Sequence, residues 1–213
     1  MEQYIIFTTS PVACIIAVIT LIVTFIAFYN EDVYNKLILQ PYSVSRGKYV
    51  YTLVTSGFIH ADFMHLLFNG MTYYFFAFDL ERILGHWEFG LLYISSLILS
   101  DLPSVIKHKN DFWYRSLGAS GAISGVVFSA ILFRPLGEMG LIFIPGIHIP
   151  AVLFGVLYLI YCSYASKKGT GNINHDAHFF GALSGILITV ILIPQVIPYF
   201  LHSVTEGVQS LMH

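Results

Sequence analysis

The stretch SLGASGAISG, residues 116–125, opens an apolar block and determines how the rest of the chain is interpreted. Gly118 and Gly121 flank Ser120, so the backbone at the serine is open to close approach by another group. Gly121 and Gly125 form a GxxxG step, which lets another helix pack tightly. A serine in this setting can act as a nucleophile. A plain packing seam of small residues has the same composition, so both interpretations stay open on this stretch alone.

A second glycine-bearing stretch, HDAHFFGALSG, occupies residues 175–185. His178, Gly181 and Gly185 stand at i, i+3 and i+7, so they share one face of a helix. If this face meets the glycines near Ser120, the imidazole comes within hydrogen-bond reach of the hydroxyl. The histidine then takes the serine proton as a general base. A structural hydrogen bond is the alternative role for a lone histidine at this position.

The third polar stretch is HADFMHLLFNG, residues 60–70. His65 and Asn69 stand at i and i+4, and both side chains can donate a hydrogen bond to one atom. Together with the backbone N–H of Ser120 they would form an oxyanion hole. His60 is interpreted as a structural residue that braces the adjacent loop.

The composition predicts a membrane protein. Of 213 residues, 56% are hydrophobic and 10% charged, whereas a soluble domain has about 25% charged residues. The apolar residues recur in blocks of roughly 17–25, the length that spans a bilayer as a helix. We therefore predict an all-α fold, a six-transmembrane-helix bundle forming one domain over 1–213 with its core at about 50–193. The six predicted spans are 11–29, 58–80, 87–106, 117–133, 147–164 and 177–193.

The segments outside the spans carry weaker signals. Residues 30–56 are polar and rich in tyrosine, which favours a loop at the membrane interface. Breaker-rich connections occupy 134–140 and 167–172. The start, MEQYIIFTTSP, lacks a basic end and a small-residue cleavage site, so it is expected to be retained. The tail, 194–213, is expected to form a short interfacial helix or to fray.

Several classes of function are disfavoured. A formal charge of −2 with ten scattered Lys and Arg residues argues against nucleic-acid binding. Cys14 and Cys162 lie in apolar blocks without CxxC spacing and are interpreted as small buried hydrophobes. His175 and His178 have the i, i+3 spacing of a metal pair. Because no HExxH motif and no carboxylate-rich companion accompanies them, we expect no metal and no other cofactor.

These motifs resemble those of the rhomboid family of intramembrane serine proteases over roughly residues 50–190. Each motif is loose alone, but their order and spacing together are specific. They are H-x4-H-x3-N (His60, His65, Asn69), E-R-x2-G (Glu81, Arg82, Gly85), GASG (Gly118, Ala119, Ser120, Gly121) and A-H-x2-G-x3-G (Ala177, His178, Gly181, Gly185).

The resemblance implies a six-helix bundle that opens to water from one membrane face and carries a Ser-His dyad without an acidic third member. By position it implies Ser120 as nucleophile, His178 as general base, and His65 with Asn69 as oxyanion donors. It implies cleavage of transmembrane protein substrates in the lipid bilayer, in or near their spans, with neither metal nor ATP. It also favours a multi-pass protein of the bacterial inner (plasma) membrane.

The chain departs from the family pattern in three places. The common Trp-Arg pair of the first loop falls at Tyr51 and Thr52. Several bacterial members carry an aromatic residue four positions after the serine, where this chain has Ser124, so no ring is expected from that position against His178. Only Arg82 and Arg134 lie on the side that the family topology makes cytoplasmic, so the positive-inside rule favours the opposite orientation. The family topology is kept as the expectation, because a first loop that is embedded in the membrane is not translocated freely. The other eight basic residues are Lys36, Arg46, Lys48, Lys107, Lys109, Arg115, Lys167 and Lys168.

Two further classes of function stay open. A rhomboid-like protein that binds or escorts membrane clients without cutting them would share the fold, although retention of Ser120 and His178 argues against it. A small transporter would line a water-filled path with polar residues, but no ladder of charges crosses the predicted spans.

Overall fold

A computed structural model describes residues 8–141, 144–168 and 173–211, and the chain is mostly helical, at 77%. Residues 1–7 of the start that is expected to be retained, residues 169–172 of the predicted 167–172 connection and the last two residues fall outside this description. The elements, in chain order, are α1 Pro11–Tyr29, α2 Glu31–Leu37, α3 Pro41–Val44, α4 Thr52–Thr55, α5 Phe63–Leu84, α6 His86–Lys107, α7 Ser120–Phe133, β1 Glu138–Leu141, β2 Ile144–Pro150, α8 Ala151–Lys168, α9 His175–Leu192 and α10 Val196–Leu211.

Three of the described helices, α1, α6 and α9, are long and apolar enough to cross a membrane by themselves. The predicted count of six spans is therefore not confirmed. The other predicted spans fail on length or polarity. The α7 helix has only 14 residues, while His65, Asn69 and Asp79 reduce the hydropathy of α5, and Lys167 and Lys168 end α8.

Helix starts differ from the predicted boundaries for local reasons. The second span was predicted from 58, but α5 begins at Phe63 because the Asp62 side chain accepts the N–H of His65 at 2.8 Å as its N-cap. The fourth was predicted from 117, but α7 begins at Ser120 because Gly118 has a φ of +111°, which no helix contains.

A β-hairpin replaces the irregular connection predicted at 134–140. The strands β1 and β2 pair antiparallel, with Glu138 opposite Pro150 and Gly140 opposite His148. The predicted fifth span therefore starts late, since α8 begins only at Ala151, after the second strand. The proline and glycines of RPLGEMG at 134–140 had indicated a breaker-rich loop, and strand pairing overrides that local signal.

The segment predicted as an interfacial loop, 30–56, contains the short helices α2, α3 and α4. Between them, Leu39 and Ser116 form an isolated antiparallel bridge, in which each N–H donates to the other residue's carbonyl at 3.0 Å. The first loop therefore holds the segment that leads into α7.

The centre of the bundle is α7, which is buried along nearly its whole length and packs most extensively against α9. The contact is made by glycines on both helices. A Cβ added to Gly181 would overlap the carbonyl group of Gly121, and one added to Gly185 would overlap that of Gly125. The two backbones therefore touch, in the manner of paired GxxxG steps in membranes.

The same two glycines of α7 also face two serines of α6. A Cβ on Gly125 would lie 2.7 Å from Cβ of Ser96, and one on Gly121 would lie 2.7 Å from Cβ of Ser100. The absence of side chains on α7 therefore allows α6 and α9 to approach it from two directions at once. This fixes the helix on which Ser120 is the first residue.

The E-R motif at the end of α5 anchors α1. Glu81 is fully buried, and its carboxylate accepts the backbone N–H groups of Val12 at 3.0 Å and Ala13 at 2.6 Å. These N–H groups belong to the first turn of α1, where no intrahelical partner exists. Nδ1 of His86 lies 2.6 Å from the same carboxylate. Arg82 lies at the surface and pairs with Asp79 at 2.8 Å.

Residues 196–211 of the tail form a helix rather than a frayed end. Gly207 of α10 packs so closely on the turn after α7 that a Cβ there would overlap the Leu136 side chain. The helix still exposes apolar side chains, among them Tyr199, Leu201 and Val208.

Replacing Gly181 by Ala is expected to destabilise the fold. The added methyl group meets backbone atoms of α7, which cannot rotate away, and overpacking of this kind costs about 1–3 kcal/mol. Thermal unfolding of the purified protein in detergent measures the effect as a lower midpoint temperature.

Gly70→Ala is the matched control, because a Cβ on this α5 glycine meets no atom of the described residues within 4 Å. Removing the glycine from a helix interior should leave stability unchanged or raise it by about 0.5–1 kcal/mol. Equal losses of stability in the two variants would show that the α7–α9 contact is not the tight one.

Candidate active site

A cavity of about 1040 Å³ lies between α5 and α8 and reaches the N-terminal ends of α7 and α9. Ser120 and His178 are partly exposed in it, so the cavity offers them a path to solvent. The polar side chains in its lining that concern the chemistry are His65, Asn69, Ser120, Tyr158, Asn174 and His178.

The structure brings Ser120 and His178 together. Oγ of Ser120 and Nε2 of His178 are 2.8 Å apart. Ser120 is the first residue of α7 and His178 lies one turn into α9, so the glycine contact between the two helices determines this distance. When Nε2 carries no proton, the hydroxyl donates to it, which is the arrangement that a serine nucleophile and its base require.

The nearest carboxylate in sequence, that of Asp176, does not orient His178. Asp176 precedes it by two positions, but its carboxylate accepts from Lys107 Nζ at 2.6 Å and from the Ser166 hydroxyl. Asp176, near the start of α9, therefore joins this helix to the ends of α6 and α8. The pair therefore stands as a dyad in the described part of the chain.

The turn before Ser120 is held by two backbone contacts. The N–H of Gly118 donates to the carbonyl of Ser56 at 2.9 Å, and Ser116 is bridged to Leu39. Gly118 itself takes the left-handed conformation that favours glycine. The backbone N–H groups that begin α7 have no partner within the helix.

The predicted oxyanion donors line the same cavity. A Cβ on Gly118 would lie 2.8 Å from Nε2 of His65, so this ring rests directly against the turn before Ser120. Nδ2 of Asn69 donates one hydrogen to the carbonyl of His65 at 2.9 Å. An amide nitrogen carries two hydrogens, so the second remains for another acceptor.

His60 lies behind His65, as the bracing interpretation requires. It is fully buried, and its Nδ1 is 3.0 Å from the hydroxyl of Thr24 on α1. Its ring meets the His65 ring edge to face, with centroids 5.0 Å apart. His60 therefore links the first helix to the ring that faces the cavity.

Asn174 is a site residue that the sequence reasoning missed. Its Oδ1 accepts the N–H of Ala177 at 3.0 Å and so caps α9. Its Nδ2 donates to Ser104 of α6 at 2.9 Å and to Ser116 at 3.1 Å. One amide thus joins α6, the segment before Ser120 and the helix of His178. An asparagine before an acidic first turn is a capping signal that would have found it.

Tyr158 of α8 was also missed. Its ring lies nearly parallel to that of His178, with centroids 6.4 Å apart and planes at 11°. Its hydroxyl is 3.1 Å from Oγ of Ser124. No ring was expected against His178 from position 124, which is a serine. The hydroxyl of Ser124 instead holds the ring of Tyr158, which α8 supplies.

Three potential metal ligands converge beside this stack. One ligand atom each from Cys162, His175 and His178 lie within 4.8 Å of one another. The sequence reasoning weighed only the pair on α9, because the cysteine lies on a different helix. The two histidines contribute imidazole nitrogens, and the cysteine contributes a sulfur.

Comparison with known proteins identifies the class. The family model described as "Rhomboid domain" matches residues 47–195. The chain therefore belongs to the rhomboid family, and it is an integral membrane protein with apolar helices.

Similar proteins differ in what their names say. The chain is 34% identical over 152 residues to the Bacillus subtilis (strain 168) protein named "Putative rhomboid protease YdcA", covering 71% of each. It is 31% identical over 159 residues to "Inactive rhomboid protein 1" of Drosophila melanogaster, covering 74% of this chain and 10% of that protein. It is 27% identical over 176 residues to the human "Presenilin-associated rhomboid-like protein, mitochondrial", covering 82% and 44%. The chain thus spans less than half of the two animal relatives.

Replacing Tyr158 by Leu is expected to slow reaction of Ser120 with a fluorophosphonate roughly 2- to 10-fold. An aromatic pair is worth about 0.5–1.5 kcal/mol, and the ring holds the imidazole in place. The labelling rate of folded protein in detergent measures the effect. Tyr158→Phe keeps the ring and should recover most of the rate.

Tyr164→Leu is the matched control, because this tyrosine lies on the same helix but is 57% exposed. It should label at the unmodified rate. A Tyr158→Phe variant as slow as Tyr158→Leu would assign the effect to the hydroxyl and not to the stacked ring.

Proposed function

We propose that this chain is an intramembrane serine protease, a serine endopeptidase that hydrolyses peptide bonds in or near transmembrane segments of other proteins. The observation that carries the proposal is the 2.8 Å separation of Ser120 Oγ and His178 Nε2 at a solvent-reaching cavity. Family membership and a relative whose name includes the words rhomboid protease support it.

The reaction proceeds in two halves. His178 takes the proton from Ser120 as the hydroxyl oxygen attacks the scissile carbonyl carbon. The tetrahedral intermediate collapses when His178 returns that proton to the leaving amine. Water then attacks the acyl-enzyme with His178 again as base, and Ser120 regains its proton when the acid product leaves. No metal or nucleotide enters this sequence.

The negative oxygen of the intermediate is stabilised by three donors: the N–H of Ser120, the His65 ring and the remaining N–H of Asn69. The N-terminus of α7 adds a favourable partial positive charge at the same place. These donors are held before substrate arrives, because Gly118 packs against His65 and the Asn69 amide is tied to its own helix. Preorganised donors of this kind commonly supply the largest contribution to catalysis.

The substrate is a transmembrane segment that enters between α5 and α8. The cavity lies between these two helices, and apolar side chains such as Met64, Phe68 and Phe154 line its walls. A helical peptide bond is shielded by its own hydrogen bonds, so the segment must unwind locally to reach Ser120. Small residues at the cut and helix-weakening residues beyond it meet that requirement.

We further propose that six helices, α1 and α5 to α9, cross the membrane, in the bacterial plasma membrane. At about 1.5 Å per residue, α7 extends about 21 Å, less than the hydrocarbon core of about 30 Å. Its first residue, Ser120, therefore lies below the membrane surface. The Bacillus subtilis relative supports the bacterial setting.

Ser120→Ala should abolish cleavage of a model transmembrane substrate, because no other group on α7 occupies the position facing His178. Cleavage is measured in liposomes by the appearance of the shorter product. Ser210→Ala, the same substitution in the exposed tail helix, is the matched control and should cut at the unmodified rate.

Undiminished cutting by Ser120→Ala would contradict the protease proposal. The alternative is a protein that binds or escorts membrane clients, a class favoured by the match to a relative named as inactive. Folded protein whose Ser120 neither reacts with a fluorophosphonate nor cleaves would favour that alternative.

Asn69→Ala should reduce kcat by about 10²- to 10³-fold while KM changes little, because the lost donor acts on the intermediate and not on bound substrate. Thr72→Ala is the control. Thr72 lines the same cavity one turn further along α5 and likewise bonds a carbonyl of its own helix, that of Phe68, at 3.0 Å. A similar loss in both variants would contradict the assignment of Asn69.

A further inference from the structure

Cys162, His175 and His178 form a group of potential ligands that the protease mechanism does not use as a unit. One ligand atom from each lies within 4.8 Å of the other two. They come from two helices, α8 and α9. His178 alone belongs to the dyad, so the other two side chains require a separate explanation.

Two observations point to a ligand at this place. Cys162 is fully buried and His175 is 7% exposed. Nδ1 of His175 has no hydrogen-bond partner among the residues that the structure describes, although a buried ring nitrogen normally has one. The unsatisfied nitrogen of His175 lies beside a buried sulfur and a second imidazole. These three groups can each give an electron pair to one metal ion.

We propose that Cys162, His175 and His178 bind Zn²⁺ or a similar borderline-soft divalent cation, and that the bound ion inhibits the enzyme. The inhibition rests on the proposed function, whereas the binding of the ion does not. Thiolate and imidazole are the ligands that zinc prefers, in tetrahedral geometry. Three protein ligands leave the fourth position to a water molecule.

The geometry requires a small adjustment. Ligand atoms around tetrahedral zinc lie roughly 3.3–3.6 Å apart, given bonds of about 2.0–2.3 Å. The three atoms must therefore move inward by about 1 Å. Only four residues of α8 are buried, Ala151, Gly155, Cys162 and Ala165, so this helix can shift with little loss of packing.

The ion reaches the group through the cavity that His178 lines. Binding releases the thiol proton of Cys162 to solvent through the same path, since the thiolate is the ligand. Tyr158 and Cys162 stand at i and i+4 on α8, so the two side chains are neighbours on one face of that helix. The tyrosine that stacks on the base is therefore also adjacent to the metal site.

Inhibition follows whichever nitrogen of His178 binds. If Nδ1 binds the ion, the imidazole proton resides on Nε2, which then cannot accept the proton of Ser120. If Nε2 binds the ion, Ser120 loses its partner outright. In both cases the general base is removed while the fold is kept.

Metal binding is tested directly with Co²⁺ as the probe, on full-length Ser120→Ala protein in detergent. The expected result is one bound ion with a thiolate-to-cobalt charge-transfer absorption that Zn²⁺ displaces. Cys162→Ala and His175→Gln should each weaken binding more than about tenfold, since even changes outside the ligand shell cost about 10- to 100-fold. Cys14→Ala, which removes the other buried cysteine on α1, should bind as before.

The consequence is tested by titrating Zn²⁺ into wild-type protein during substrate cleavage. We expect inhibition that a chelator reverses and that Cys162→Ala and His175→Gln shift to concentrations more than about tenfold higher. Absence of cobalt binding overturns the proposal, as does inhibition that both variants leave unchanged. Cobalt binding to a wild-type protein that cleaves nothing would retain the metal site and reject the protease.

Discussion

The contact between the glycines of α7 and α9 is the constraint on which the rest of the molecule depends. Gly181 and Gly185 lie against the carbonyl groups of Gly121 and Gly125, with no space for a single methyl group. Lipid provides little hydrophobic force between helices, so close van der Waals packing must hold them together. The same contact brings Ser120 within 2.8 Å of His178. Stability and chemistry therefore share one interface.

The buried polar side chains are arranged around this interface as ties between helices. Glu81 satisfies the start of α1, Asn174 joins α6 and α9 to the segment before Ser120, and His60 connects α1 to His65. Each has partners that offset the cost of placing polar atoms in an apolar environment. They are scaffold residues that keep the reactive side chains in register.

Much of this organisation could be predicted from the sequence, and the failures have physical causes. The apolar blocks located the long helices, and the two glycine faces correctly predicted that His178 approaches Ser120. The hairpin at 138–150 was missed because its glycines and prolines resemble a loop until the strands pair. The proximity of Tyr158 and Cys162 to the histidines of α9 was missed, because a ring or a thiol in an apolar helix gives no indication of which helix it will face. Such contacts exist only in the folded bundle.

One consequence concerns the helix that carries Tyr158. The α8 helix borders the cavity, and the ring of its Tyr158 also steadies the imidazole of His178 on α9. Any sideways displacement of this helix therefore changes the orientation of the base together with the width of the entrance. Bilayer thickness and lateral pressure act on such a loosely packed helix, so under the proposed function the lipid composition of the membrane would influence catalysis as well as access.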